Sequence, residues 1–143
     1  MPDKPYTLHS DGGARGNPGP AAYGYVLRDP DGNVIAKEGK SLGKGTNNFA
    51  EYQGVIAGIR RAKGLKAVPL ACFLDSELVV KQLNGEYKVK DADIREAFMI
   101  IWNLRIEMGH VTFQHVPREQ NKDADAMVNE ALDAEAKHQS LGI

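Results

Sequence analysis

Tyr6-Thr7-Leu8-His9-Ser10-Asp11-Gly12-Gly13-Ala14-Arg15-Gly16-Asn17-Pro18-Gly19-Pro20 decides how the rest of the chain is read. Tyr6 to Ser10 alternates as a strand does, with Thr7, His9 and Asp11 on one face and Tyr6, Leu8 and Ser10 on the other. Asp11 ends that strand and opens a turn, and the glycines and prolines from Gly12 to Pro20 are strong turn material. A second strand, Ala22 to Arg28, follows. Asp29-Pro30-Asp31-Gly32-Asn33 is a hairpin turn, and Val34 to Leu42 returns as a third strand.

Beyond this hairpin region the period changes. Gly43 to Asn48 is a loop whose final Asn suits a helix N-cap. Tyr52, Val55, Ile56 and Ile59 then fall on one stripe of a helix from Phe49 to about Lys63. Val68 to Asp75 is a fourth strand, and Ser76 caps a short helix that Asn84-Gly85 stops. Tyr87-Lys88-Val89-Lys90 is a basic connection to a helix that starts at Asp91 or Asp93 and ends before Gly109. In that helix Trp102 is expected on the apolar stripe with Phe98. Val111 to Val116 is the fifth strand, Pro117 to Lys122 a loop, and Asp123 to Lys137 the closing helix. Hairpin strands followed by helical crossovers give an α/β fold: a mixed sheet with helices on its faces, in which the first and fourth strands are neighbours.

The bulk composition bounds the function. The 143 residues, 42% hydrophobic and 26% charged, suit one globular domain spanning 1–143. Eighteen basic and nineteen acidic residues leave a net charge of −1, so no global basic field advertises a nucleic-acid partner. Cys72, the single cysteine, lies in an apolar strand and reads as a buried thiol, which excludes an internal disulfide and a cysteine zinc cluster. Met1-Pro2-Asp3-Lys4-Pro5 resembles no leader, and no apolar stretch is long enough for a bilayer. A cytoplasmic protein without a membrane partner is expected.

Four carboxylates sit where an ordinary fold has little use for a charge: Asp11 and Asp75 at strand ends, Glu51 inside a helical pattern, and Asp125 on the stripe of Val128 and Leu132. Taken singly, Asp11 could form an Asx turn, Glu51 could favour a helix dipole, and Asp75 could mark a strand-to-helix junction. Asp123 is the better placed residue for capping the last helix, so Asp125 is not needed there. Taken together, with the first and fourth strands adjacent, the four could converge, and they would repel unless divalent cations compensate. Oxygen ligands of this kind suit Mg²⁺ better than zinc. Two such ions about 4 Å apart can activate a water and stabilise a leaving oxygen. His115, at the end of the fifth strand, could shuttle a proton beside them. His9, His110 and His138 are read as structural or exposed.

These residues carry a family resemblance. Thr7-Leu8-His9-Ser10-Asp11-Gly12-Gly13 with Gly16-Asn17-Pro18-Gly19-Pro20 and Tyr23-Gly24 resembles the opening of type 1 ribonuclease H. Thr46-Asn47-Asn48-Phe49-Ala50-Glu51-Tyr52, Asp75-Ser76, and His115-Val116-Pro117-Arg118-Glu119-Gln120-Asn121 with Ala124-Asp125 resemble its later motifs, in order. The resemblance implies the ribonuclease H-like fold: five strands in a mixed sheet, three antiparallel then two parallel, flanked by helices. It implies hydrolysis of the RNA strand of RNA–DNA hybrids, leaving 5′-phosphate and 3′-hydroxyl ends. Asp11, Glu51, Asp75 and Asp125 would hold two Mg²⁺ (or Mn²⁺) ions, with His115 aiding product release. Gly12, Gly13, Asn17, Asn47, Asn48 and Ser76 would meet the hybrid, and Thr46 a DNA phosphate. A monomer is expected.

The chain also departs from the pattern. A Lys- and Trp-rich protrusion is missing, which is similar to the handle-less, archaeal-like members, and double-stranded RNA stays open as a second substrate. Glu77 stands where a Gln often follows the Asp-Ser pair. Arg60-Arg61-Ala62-Lys63 with Lys66 suits a helix C-terminus, whereas Lys81, Lys88 and Lys90 are candidates for phosphate contacts. Three other functions compete: a resolvase- or transposase-type nuclease of the same fold, a hybrid-binding module without catalysis, and a phosphatase-like hydrolase. The first lacks its usual extra domains here, the second is opposed by the four carboxylates, and the third lacks a nucleophile motif.

Overall fold

The computed structural model describes residues 4–141; Met1-Pro2-Asp3, whose reading as lacking a leader belongs to the sequence alone, lie outside them. Strands β1 (Tyr6–Ala14), β2 (Gly19–Arg28) and β3 (Val34–Gly45) form an antiparallel meander. β4 (Leu70–Leu74) joins β1 in parallel, and β5 (Val111–His115) joins β4 in parallel, giving the order β3-β2-β1-β4-β5. The expected five-stranded mixed sheet is present. Helices α1 (Asn47–Gly64), α2 (Glu77–Leu83), α3 (Ala92–Met108) and α4 (Lys122–Ser140) complete the fold, with a 3₁₀ turn at Arg118–Gln120.

Alternation along the strands divides the apolar residues between two faces. Leu8 of β1 and Tyr23, Tyr25 and Leu27 of β2 pack with Tyr52, Val55, Ile56 and Ile59 of α1 in the larger core, which also takes Ile94, Ala97, Ile101 and Leu104 of α3. Ala22 lies with Val128 and Leu132 of α4 in a smaller second cluster. Residues paired directly across antiparallel strands share a face. Asp11, register partner of Gly24, therefore lies on the α4 face, one position out of phase with Leu8 and Ser10.

Four local expectations are corrected. β1 does not end at Ser10 but runs to Ala14, because Gly12 and Gly13 pair with Tyr23 and Ala22 in extended backbone. The glycine at 12 serves close packing and not a turn: a Cβ there would stand 2.2 Å from the backbone of Ala50 in α1. The N-cap of α1 is Thr46, whose hydroxyl accepts from Phe49 N at 3.1 Å, so Asn48 lies inside the helix. Asp123 does not cap α4; its carboxylate is drawn to Arg28 of β2. Trp102 is 43% exposed. The buried stripe of α3 runs through Ile94, Ala97, Ile101 and Leu104, and Trp102 stacks on Phe98 at its flank, 6.1 Å between ring centres. Ser76 and Asp91 cap α2 and α3 as their sequence contexts suggest, and Cys72 is buried.

Candidate metal-binding active site

Three elements bring carboxylates to one point. Asp11 comes from the middle of β1, Glu51 from the first turns of α1, and Asp75 from the residue after β4. One carboxylate oxygen from each lies within 4.8 Å of the others. Parallel pairing of β4 with β1 sets the first and third side by side, and the missing side chain at Gly12 lets the backbone of Glu51 lie against β1. Asp11 and Glu51 are each only 7% exposed.

Such crowding is unfavourable for bare charges. Burial pushes the Asp11 carboxyl up to about 7; the nearby Asp75 and Asp125 charges add to that push, while hydrogen bonds from Glu51 and the Gly12 amide oppose it. Glu51 is driven well above the ordinary carboxylate range by burial and by Asp11 beside it. Asp75 is raised by burial, opposed by the Asn121 amide and the Arg118 guanidinium. The Oε2 of Glu51 is buried and has no hydrogen-bond partner among the described residues. A buried acceptor without a donor, in a set of hard oxygen atoms, fits a divalent cation such as Mg²⁺ or Mn²⁺.

Asp125 lies outside this triad but lines the same cleft of about 470 Å³, together with Gly12, Gly13, Asn47 and Ser76. It projects from the first turn of α4, where Asn129 Nδ2 donates to its Oδ2 at 3.3 Å and Arg118 approaches its Oδ1 to 4.0 Å. His115 ends β5 beside Leu74 in register and is exposed, but it does not line the cleft.

The asparagines of the 14–17 and 46–48 segments hold each other. Asn17 Oδ1 accepts from Asn47 N at 3.1 Å, and Asn47 Oδ1 accepts from Ala14 N at 2.8 Å. These bonds fix the loop after β1 to the start of α1 at one end of the cleft. Thr46 and Asn48 are exposed; Thr46 borders a separate pocket with Lys44 and Phe49. Lys81 is engaged by Glu77, 2.9 Å away on the next helical turn, and Lys88 and Lys90 are exposed. His9 stacks on Phe73, with 5.0 Å between ring centres, while His110 and His138 face solvent.

Sequence reasoning did not single out Arg15, Arg118, Asn129 or Asn121. The first three line the cleft, and the spacing of Asn129, one helical turn beyond Asp125, was a usable signal. Asn121 is buried; it closes the His115–Asn121 motif of the resemblance, which implies no role for it.

A reverse transcriptase-like family model matches residues 9–131. Over 131 residues the chain is 41% identical to the bifunctional protein Rv2228c of Mycobacterium tuberculosis, covering 91% of this chain but 36% of that protein. The chain thus spans about a third of the length of the mycobacterial relatives it matches. It is 41% identical over 135 residues to ribonuclease HI of Halobacterium salinarum, covering 93% of this chain and 68% of the relative. The crystal structure of LC11-RNase H1 in complex with an RNA/DNA hybrid superposes with a TM-score of 0.87 at 39% identity, over 92% of this chain and 99% of that one.

Proposed function

This chain belongs to the ribonuclease H family, and on that premise we propose that it is an endoribonuclease hydrolysing the RNA strand of RNA–DNA hybrids. The observation that carries the proposal is the approach of Asp11, Glu51 and Asp75 oxygens to within 4.8 Å of one another on the wall of an open cleft. Asp125 would complete the ligand set from the rim. Two Mg²⁺ or Mn²⁺ ions held by these residues would supply charge neutralisation at the scissile phosphate and a water of lowered pKa.

The chain's own groups do the rest. Asp11, Glu51 and Asp75, held in dissimilar elements, fix where the phosphate can sit. The oxygens of Asn17 and Asn47 are committed to backbone amides, so their Nδ2 groups would be the donors offered to substrate. Amide donors of this kind, with the Ser76 hydroxyl, suit 2′-hydroxyls and base edges in the minor groove, while Gly12, whose N–H already donates to Asp11 Oδ1 at 2.9 Å, and Gly13 would let the hybrid approach bare backbone. Asn48 would extend this contact, and Thr46 would meet a DNA phosphate at the helix start. Cleavage of the bond to the 3′-oxygen would leave 3′-hydroxyl and 5′-phosphate ends, and His115, at the end of β5 outside the cleft lining, would aid release of these products.

Strand-labelled RNA–DNA, RNA–RNA and DNA–DNA duplexes, each incubated with Mg²⁺, Mn²⁺ or EDTA, test the proposal. Cleavage confined to the RNA strand of the hybrid and abolished by EDTA is expected. Cleavage of the DNA duplex would point instead to a resolvase-type nuclease, and cleavage of RNA–RNA would widen the substrate class.

A further inference from the structure

Asn121 is 1% exposed and occupies the N-cap position of α4, yet its side chain makes no capping bond. Asparagine is favoured at that position because its oxygen can accept from the first turn of the helix, but here Oδ1 is buried without a partner among the described residues and only the amide nitrogen is engaged. Its Nδ2 donates to the Ser10 carbonyl at 2.9 Å, across 111 residues of sequence. That carbonyl belongs to the peptide leading into Asp11. The same amide borders the Asp75 carboxyl. The Asn121 carbonyl accepts from Asp125 N at 3.1 Å, the bond that starts the helix carrying the fourth carboxylate.

We propose that Asn121 is a positioning residue for the metal site: one buried amide and its own carbonyl join β1 at Asp11, the end of β4 at Asp75 and the first turn of α4 at Asp125. The inference rests on the metal-dependent reading above and concerns residues behind the ligands, not the ligands themselves. The side-chain bond of Asn121 reaches β1 and its carbonyl holds the first turn of α4, so a single residue ties together elements far apart in the sequence. Partners of this kind typically change metal affinity by about 10- to 100-fold when removed.

Two variants separate positioning from mere packing. Asn121→Ser keeps a good N-cap, so α4 retains its start, but the short hydroxyl cannot reach Ser10; Asn121→Ala removes both possibilities. Calorimetric titration of the full chain with Mn²⁺, well below the melting temperature, is the direct readout, with hybrid cleavage as the second. Asn121→Ser is expected to bind Mn²⁺ about tenfold or more weakly, to lose kcat, and to keep the KM for hybrid within about twofold, because the Asn17–Asn47 surface is untouched. A folded Asn121→Ser protein with wild-type Mn²⁺ affinity would overturn the proposal. Loss of the fold in both variants would also overturn it, since Asn121 would then serve the chain and not the site. If the wild-type protein itself takes up no Mn²⁺, the metal-binding reading falls first and the inference falls with it.

Discussion

Asp11 on β1 and Gly24 on β2 are register partners, and the residue without a side chain sets how near the helix of the fourth carboxylate comes to the first. Gly24 pairs in turn with Gly39 on β3. A Cβ on Gly24 would stand 2.6 Å from the Ala124 carbonyl oxygen and 2.6 Å from Met127 Cβ; one on Gly39 would stand 2.4 Å from the Met127 carbonyl oxygen. Helix α4 therefore rests on bare backbone, and Asp125, between Ala124 and Met127, is delivered to the row that holds Asp11.

Gly24→Ala should lift α4 from the sheet. Overpacking of this kind costs about 1–3 kcal/mol, and a lower melting temperature with reduced kcat is expected. Unchanged melting would show that α4 shifts freely and that the glycine seat is not required.

Gly12→Ala and Gly13→Ala should differ sharply although the residues are adjacent. The first places a methyl 2.2 Å from Ala50 backbone, whereas the second meets nothing nearer than 3.9 Å. Thermal melts should rank Gly12→Ala well below Gly13→Ala, and equal melts would contradict the close approach of α1 to β1.

The raised Asp11 pKa fixes a sign for metal-free stability. The folded state keeps a proton on Asp11 up to about 7, whereas an unfolded aspartate releases it near its ordinary value of about 3.9. The unfolded state thus binds fewer protons between about pH 4 and 7, and stability falls as pH rises through that window. Denaturant melts in EDTA should show this decline, and Asp11→Asn should lessen it, the remainder coming from the raised carboxyls of Glu51 and Asp75. Millimolar Mg²⁺ at pH 8 should raise the wild-type melting temperature by preferential binding to the folded state; indifference to Mg²⁺ would count against a shared site.

Much of this arrangement was legible in the chain. The Asp11 and Asp75 positions follow from strand patterns, and their adjacency follows from the order of strands and crossovers. Glu51 and Asp125 are visible as charges on helical stripes. What was not legible depends on tertiary contact. Gly12-Gly13 has the composition of a turn, but it is strand because α1 needs the space. Thr46 and Asn48 are both good caps in isolation, and the choice of Thr46 depends on where α1 meets the loop after β1. Asp123 carries a capping sequence but answers to Arg28, ninety-five residues away. Asn121 closes a motif of the resemblance, but its role is not legible locally because its side-chain bond goes to Ser10 on β1.

Asn17→Ala should act on substrate and not on chemistry. Loss of the 3.1 Å bond to Asn47 N frees the loop after β1, so a KM for hybrid raised severalfold with a nearly unchanged kcat is expected. A fall in kcat at constant KM would place Asn17 with the reacting groups instead.

The most direct measurement is cleavage of a strand-labelled RNA–DNA hybrid by the wild-type protein and by Asp11→Asn, both with Mg²⁺ and both verified as folded. Wild-type cutting of the RNA strand and a loss of at least about a hundredfold (roughly 2.7 kcal/mol) in the variant are expected. Undiminished cleavage by Asp11→Asn would contradict the assignment of these carboxylates as the catalytic centre.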